Sequence, residues 1–91
     1  MLSIERTGQF KRDYKRAKAG RGADLDELFK AAMILLANER PLPPANRDHA
    51  LKGNHKGCRD CHLKPDVVMI YRKTKTAIEL VRIGSHSQLF G

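Results

Sequence analysis

The sequence predicts an α+β domain in which two N-terminal helices pack on one face of an antiparallel β-sheet. Two observations predict this arrangement. Helical apolar periodicity runs from Phe10 to Ala17 and again from Leu25 to Leu36, and three strand-like segments joined by short turns occupy residues 57–83. The opening LSIER alternates weakly and is a further candidate strand. We therefore expect the order β-α-α-β-β-β, and a length of 91 residues predicts that residues 1–91 form one domain.

The first helix is predicted from Phe10, Tyr14 and Ala17, which recur at helical spacing before Gly20 and Gly22 end the pattern. Its remaining faces are basic and carry Lys11, Arg12, Lys15, Arg16 and Lys18. Such a face either is simply solvated or contacts phosphates of a nucleic acid. Both interpretations stay open, and under the second we expect these five residues to contact phosphates.

The second helix is predicted to begin at Asp24, with Glu27 three residues later in a capping-box arrangement and Pro41 just past its end. Its broad apolar stripe must bury against a partner, and the sheet is the expected one. A stiff, proline-rich connection follows at residues 41–54 and presents His49.

The three C-terminal segments GCRDCHL (57–63), DVVMIYR (66–72) and AIELVRI (77–83) predict an antiparallel meander. Side chains alternate between the two faces of a strand. One face of the first segment thus carries Cys58, Asp60 and His62, whereas the other carries Arg59, Cys61 and Leu63. We assign the face with Leu63 to the helix-covered core, with the head of Arg59 near the sheet edge.

Cys58, Cys61 and His62 follow the pattern C-x-x-C-H. Patterns of this kind are typical of haem attachment, of zinc sites and of redox dithiols. Two cysteines on opposite faces of a strand cannot hold one zinc ion together or close a relaxed disulfide. The expectation is therefore two packing residues, no metal and no cofactor. A zinc site completed by His55 and His62 stays as the weaker alternative.

The net charge of +8 predicts attraction to a polyanion, most often a nucleic acid. No stretch is long and apolar enough for a membrane helix, and the first residues resemble no signal peptide. We expect a cytoplasmic protein without a membrane partner.

Histidines and carboxylates are concentrated around the predicted sheet: His49, His62 and His86 with Asp60 and Asp66. Two histidines flanking a phosphodiester can remove the 2′-hydroxyl proton and protonate the leaving 5′-oxygen. A metal-independent ribonuclease is the resulting hypothesis, with Phe90 stacking on a base.

The segments PLPPANRDHALKG, GCRDCHLKPD and RIGSHSQLFG closely resemble the YafQ-type branch of the RelE/ParE toxin superfamily. The most specific motifs are DHxLxG, RDxHxxPD and GxHxxLFG, and the resemblance covers essentially the whole chain. It implies a toxin of a type II toxin-antitoxin system that cleaves mRNA in the ribosomal A site. It also implies a neutralising, DinJ-like antitoxin as partner, alongside mRNA and ribosomal RNA.

The resemblance further implies individual roles. The motif residues His49, Asp60, His62, Asp66 and His86 are the expected catalytic set, with no division into general acid and general base. Phe90, Arg59 and Lys52 are the expected substrate contacts. The family motifs assign no function to Cys58, Cys61 or His55. The alternative class is a binding module of the same fold without catalysis, whereas the gyrase-directed ParE branch does not fit the histidine-rich site.

Overall fold

The computed structural model describes residues 1–20 and 22–91, together with the backbone of residue 21. Three elements open the chain: β1 (Ser3–Arg6), α1 (Gly8–Arg21) and α2 (Leu25–Ala37). Five follow: β2 (His49–Ala50), β3 (Arg59–Lys64), β4 (Val67–Lys73), β5 (Ala77–Gly84) and α3 (His86–Phe90). The predicted order is confirmed, with the two-residue strand β2 and the short helix α3 as additions.

The strands form one sheet in the order β1-β5-β4-β3-β2. The predicted meander is confirmed, because β3, β4 and β5 are joined antiparallel. Strand β1 instead runs parallel to β5, with Ser3 beside Ala77. The sheet is therefore mixed, and its first and last strands in sequence are neighbours.

The main core lies between the two long helices and one sheet face, as predicted. Phe10 of α1 and Leu25 of α2 are almost completely buried there, against Cys61, Met69 and Leu80 of the sheet. Burial of apolar side chains in this way is the main force that stabilises a small domain.

The two long helices begin in different ways. Thr7 caps α1, since its Oγ1 accepts a hydrogen bond from the amide of Phe10 at 3.0 Å. The capping box predicted from Asp24 and Glu27 is wrong, because Asp24 makes no side-chain cap. Its carboxylate accepts a hydrogen bond from Lys64 Nζ at 2.8 Å instead. A long-range ion pair with β3 has replaced the local cap.

The second sheet face is not fully open. Val68 and Ile70 of β4 are buried there beneath Leu89 of α3. The helix approaches closely, since a Cβ on Gly84 would lie 2.8 Å from Gln88 Oε1. The sequence pattern predicted only a tail here, although Ser85 and Gln88 have the spacing of a capping box and both capping hydrogen bonds are present.

Within the described part of the chain, no helix has the length and apolar character needed to cross a bilayer.

Candidate active site

Strand pairing places the predicted acid-base residues on the sheet face that carries α3. His49 of β2 lies directly opposite Asp60 of β3, and Asp60 lies opposite Ile70 of β4. Residues opposite each other in an antiparallel pair point to the same face, and His62 joins them two residues along β3. The structure therefore brings His49, Asp60 and His62 together.

The closest contact in this group joins His49 and Asp60. Nδ1 of His49 lies 3.0 Å from Oδ1 of Asp60, with the imidazole more than half exposed and the carboxylate nearly buried. The same Nδ1 is 2.8 Å from the carbonyl oxygen of Arg47, with hydrogen-bonding geometry. Oδ1 of Asp60 has no hydrogen-bond partner among the described residues, so its attraction to His49 is electrostatic.

Burial raises the pKa of Asp60 above its ordinary value, because desolvation disfavours the charged carboxylate. Positive charge on His49, His62 and His86 opposes this effect without cancelling it. A carboxyl group with a raised pKa, one unpartnered oxygen and a histidine 3.0 Å away can exchange a proton.

Arg47 adopts a left-handed backbone conformation, with φ 48° and ψ 45°. A non-glycine residue rarely occupies this region, and such strain is concentrated at functional sites. Here it directs the Arg47 carbonyl to Nδ1 of His49. Sequence reasoning missed this contact, because no residue type at position 47 signals the conformation.

Asp48 anchors the two-residue strand β2 from the opposite, helix-covered side of the sheet. Its Oδ1 accepts hydrogen bonds from the buried Tyr71 hydroxyl at 2.6 Å and from Arg59 Nε at 3.2 Å. The adjacent His49 thereby acquires a fixed position. Asp48 and Tyr71 were not among the predicted site residues, although Asp48 belongs to the DHxLxG motif.

Arg59, predicted as a substrate contact, lies opposite Tyr71 in the β3–β4 register and binds Asp48. The structure therefore does not bring its side chain to the face of the histidines. Its side chain is 41% exposed, in agreement with the expected position near the edge. Its role in substrate binding stays a prediction.

Helix α3 contributes His86 and Phe90. Their rings lie 4.8 Å apart, and His55 packs edge-on against Phe90 at 5.6 Å. His86 lies near enough to Asp60 for its charge to act on the pKa of that carboxyl group. Phe90 is only half exposed because it packs on the cluster of Val68 and Ile70. Base stacking by Phe90 stays a prediction.

The remaining predicted residues of the site are exposed. Asp66 lies in the turn between β3 and β4, and Lys52 lies where the chain enters the short helix Gly53–His55. The roles of both side chains stay predictions.

The predicted basic face of α1 is exposed at all five positions. Part of its charge is paired, since Arg16 binds Asp13 and Lys18 lies 2.6 Å from Asp26. The helix packs beneath β5, on the side of the sheet opposite α3. Phosphate binding by these residues stays a prediction.

The two cysteines lie on opposite faces of the sheet, as predicted. Cys61 is fully buried in the main core, whereas Cys58 borders the cluster beneath α3. Burial raises the pKa of the Cys61 thiol to about 12, and both cysteines are free. Among the described residues, no three metal-ligating side chains converge on a common site.

A protein-family model described as "Bacterial toxin of type II toxin-antitoxin system, YafQ" matches residues 2–91. This match, together with the fold, defines a small toxin domain of the type II toxin-antitoxin class. The chain belongs to the YafQ family.

Several known proteins are similar over nearly the whole chain. The mRNA interferase toxin YafQ of Escherichia coli K12 is 40% identical over 88 residues, which cover 97% of this chain and 95% of the relative. Two solved structures share the fold. The toxin in the E. coli DinJ-YafQ toxin-antitoxin complex is 38% identical, with a TM-score of 0.86 and coverage of 99% and 98%. A metal-bound toxin from Helicobacter pylori is 44% identical, with a TM-score of 0.88 and coverage of 99% and 100%.

Proposed function

We propose that this toxin is an endoribonuclease that cleaves mRNA in the A site of the ribosome by general acid-base catalysis. The observation that carries the proposal is the contact between His49 and the buried Asp60 beside His62. The activity named for the E. coli relative at 40% identity supports the choice of substrate.

In the proposed reaction, one group removes the proton from a 2′-hydroxyl, and the resulting oxygen attacks the adjacent phosphorus. A second group donates a proton to the leaving 5′-oxygen. The products are a 2′,3′-cyclic phosphate and a 5′-hydroxyl, so no water or oxidant is consumed. His49, Asp60, His62 and His86 supply the proton-transfer groups, and Asp66 belongs to the same set through its motif.

The proposal needs no metal ion, because proton transfer by the side chains supplies the chemistry. The metal-bound Helicobacter relative makes a direct test worthwhile. Toxin that has been stripped of metal with EDTA and then freed of the chelator should cleave at the full rate on ribosomes kept in magnesium, and added zinc or copper should not raise that rate. Loss of cleavage by the stripped toxin, restored by zinc or copper at intact ribosome occupancy, would contradict a metal-independent mechanism.

The partners follow from the same proposal. The substrate complex is the message bound to the ribosome, so under this proposal the toxin acts in the cytoplasm. A cognate antitoxin neutralises the toxin, a partnership supported by the DinJ complex of the relative.

The decisive experiment is primer extension on a translated message after induction of the toxin. The wild-type chain should produce cuts at fixed positions within codons, and His62→Ala and His86→Ala should abolish them. Both variants should still fold and bind antitoxin, and Lys75→Ala in the exposed β4–β5 turn is the matched control. Full cleavage by both histidine variants would exclude the assigned site. Growth arrest without RNA cleavage would favour the second candidate, a non-catalytic binding module.

A further inference from the structure

A cavity of about 520 Å³ lies at the outer edge of β3, beyond the point where β2 stops pairing. The proline-rich connection forms one wall, and the β3–β4 turn forms another. Its volume is within the range typical of sites that bind small molecules. Of the residues that line this cavity, His62 alone belongs to the predicted catalytic set.

The cavity borders the candidate active site through His62, which is among its lining residues. Asn46 donates a hydrogen bond from Nδ2 to the main-chain oxygen of His62 at 2.7 Å. This contact fixes the proline-rich connection against β3, so the cavity wall and His62 keep a constant relative position. A ligand in the cavity would therefore share His62 with the candidate active site.

The lining combines flat apolar surface with positive charge. Arg47 and Lys64 are the basic residues, and the apolar part is supplied by Leu28 of α2 with Pro43, Ala45, Leu63 and Pro65. The described residues that line the cavity include no carboxylate. Lys64 is tethered by Asp24 at 2.8 Å, which leaves the exposed Arg47 as the principal cation.

We propose that this cavity binds one nucleotide of single-stranded RNA, adjacent to the bond that is cut. The base packs on the proline surfaces, and Arg47 contacts its phosphate, since unstacked bases and charge-assisted phosphate contacts are the usual means of recognising single-stranded RNA. The left-handed Arg47, whose carbonyl binds His49, couples this subsite to the active site. The proposal rests on the nuclease function above and adds to it a subsite that selects the neighbouring nucleotide.

The test is a titration of the full-length chain with each of the four 5′-mononucleotides, followed by amide chemical shifts in ¹H–¹⁵N spectra. We expect saturable shifts at residues 45–47 and 62–65, with unequal affinities for the four bases. Arg47→Gln should weaken binding by about tenfold, the effect of losing one charge-assisted hydrogen bond. Arg40→Gln, another exposed arginine close to the same connection, should leave the affinity unchanged.

A second variant, Ala45→Leu, fills the cavity from a lining position without changing charge. It should abolish the shifts and alter the distribution of cuts on a translated message. Two results would overturn the subsite even if the message is still cleaved. One is the absence of shifts in the wild-type chain, and the other is a loss of nucleotide affinity in Arg40→Gln equal to that in Arg47→Gln. Base-selective shifts at the cavity would uphold nucleotide binding even if cleavage itself is not found, so the two proposals fail separately.

Discussion

The hydroxyl of Tyr71 donates a 2.6 Å hydrogen bond to Oδ1 of Asp48, across the sheet from the candidate active site. Tyr71 is 2% exposed, so this bond forms in the core. It connects the central strand β4 to the residue that precedes His49. The position of His49 thus depends on a contact made on the other side of the sheet.

Tyr71→Phe should therefore lower cleavage by about tenfold, because a small displacement of a proton-transfer group is costly. Loss of a hydrogen bond to a charged acceptor should also reduce the free energy of unfolding by about 1.5–3 kcal/mol. Single-turnover cleavage and urea denaturation measure the two effects.

The matched control is Tyr14→Phe, which removes a similar hydrogen bond to Asp26 between α1 and α2. Because the Asp26 side chain is 55% exposed, stability should fall less, and the cleavage step should keep its rate. An equal loss of rate in both variants would show that general destabilisation, and not the position of His49, limits cleavage.

Asp60→Asn should lower cleavage by about 100-fold or more, since it removes a group able to exchange a proton. The pH dependence of stability gives a separate check. The pKa of Asp60 is raised in the folded state above its ordinary 3.8. Its contribution to stability is thus complete below 3.8 and is lost as the pH rises through the folded-state value. The stability of the wild-type chain relative to Asp60→Asn should fall over this interval in urea denaturation, and a rise would contradict the raised pKa.

Asp13 should behave in the opposite way. Burial raises its pKa, but hydrogen bonds from Arg82, Gln9 and the amide of Ile83 together outweigh burial and keep the pKa below 3.8. Its contribution to stability is present above 3.8 and is lost as the pH falls through the folded-state value. The free energy of unfolding of the wild-type chain relative to Asp13→Asn should therefore rise between about pH 2 and pH 6, which urea denaturation measures.

Asp13→Ala should be strongly destabilising, by about 3 kcal/mol, because Arg82 and the Ile83 amide lose a fully buried acceptor. The more exposed pair of Arg72 and Glu79 is the control. Glu79→Gln should change stability by less than about 1 kcal/mol. Similar losses for both variants in urea denaturation would exclude a special role for the buried acceptor.

The cysteines should differ in reactivity. At about pH 8, iodoacetamide should modify Cys58 in the folded protein and leave Cys61 intact, because the latter is fully buried and its pKa is raised to about 12. Mass spectrometry of peptides reports both sites, and unfolded protein provides the fully reactive reference. The pair Cys58→Ser with Cys61→Ala should retain cleavage. Rapid labelling of Cys61 in the native chain, or lost cleavage in a folded double variant, would restore a role for the thiols.

Much of this architecture follows from local patterns. Alternation along GCRDCHL separated Cys61 from Asp60 and His62, and helical spacing identified Phe10 as core. Long-range choices were not predictable in the same way. Asp24 has a local capping option and a distant ion pair with Lys64, and only the folded chain decides between them. The parallel pairing of β1 also depends on which sheet edge is free.

Several contacts at the candidate site that the sequence did not predict involve main-chain atoms. The carbonyl of Arg47 that binds His49 carries no residue-specific signal. Asp48 belongs to a recognised motif, but its partner Tyr71 lies 23 residues away and resembles an ordinary strand residue. The capping box of Ser85 and Gln88 was visible in the sequence and would have predicted α3.

The pairing of Ser3 with Ala77 joins two residues of the sheet that are 74 positions apart in the sequence. A chain interrupted before Ala77 lacks β5, which lies between β1 and β4, and it also lacks His86. Because His86 follows β5 almost directly in the sequence, the strand that completes the sheet and one of the proposed proton-transfer groups are synthesised one after the other.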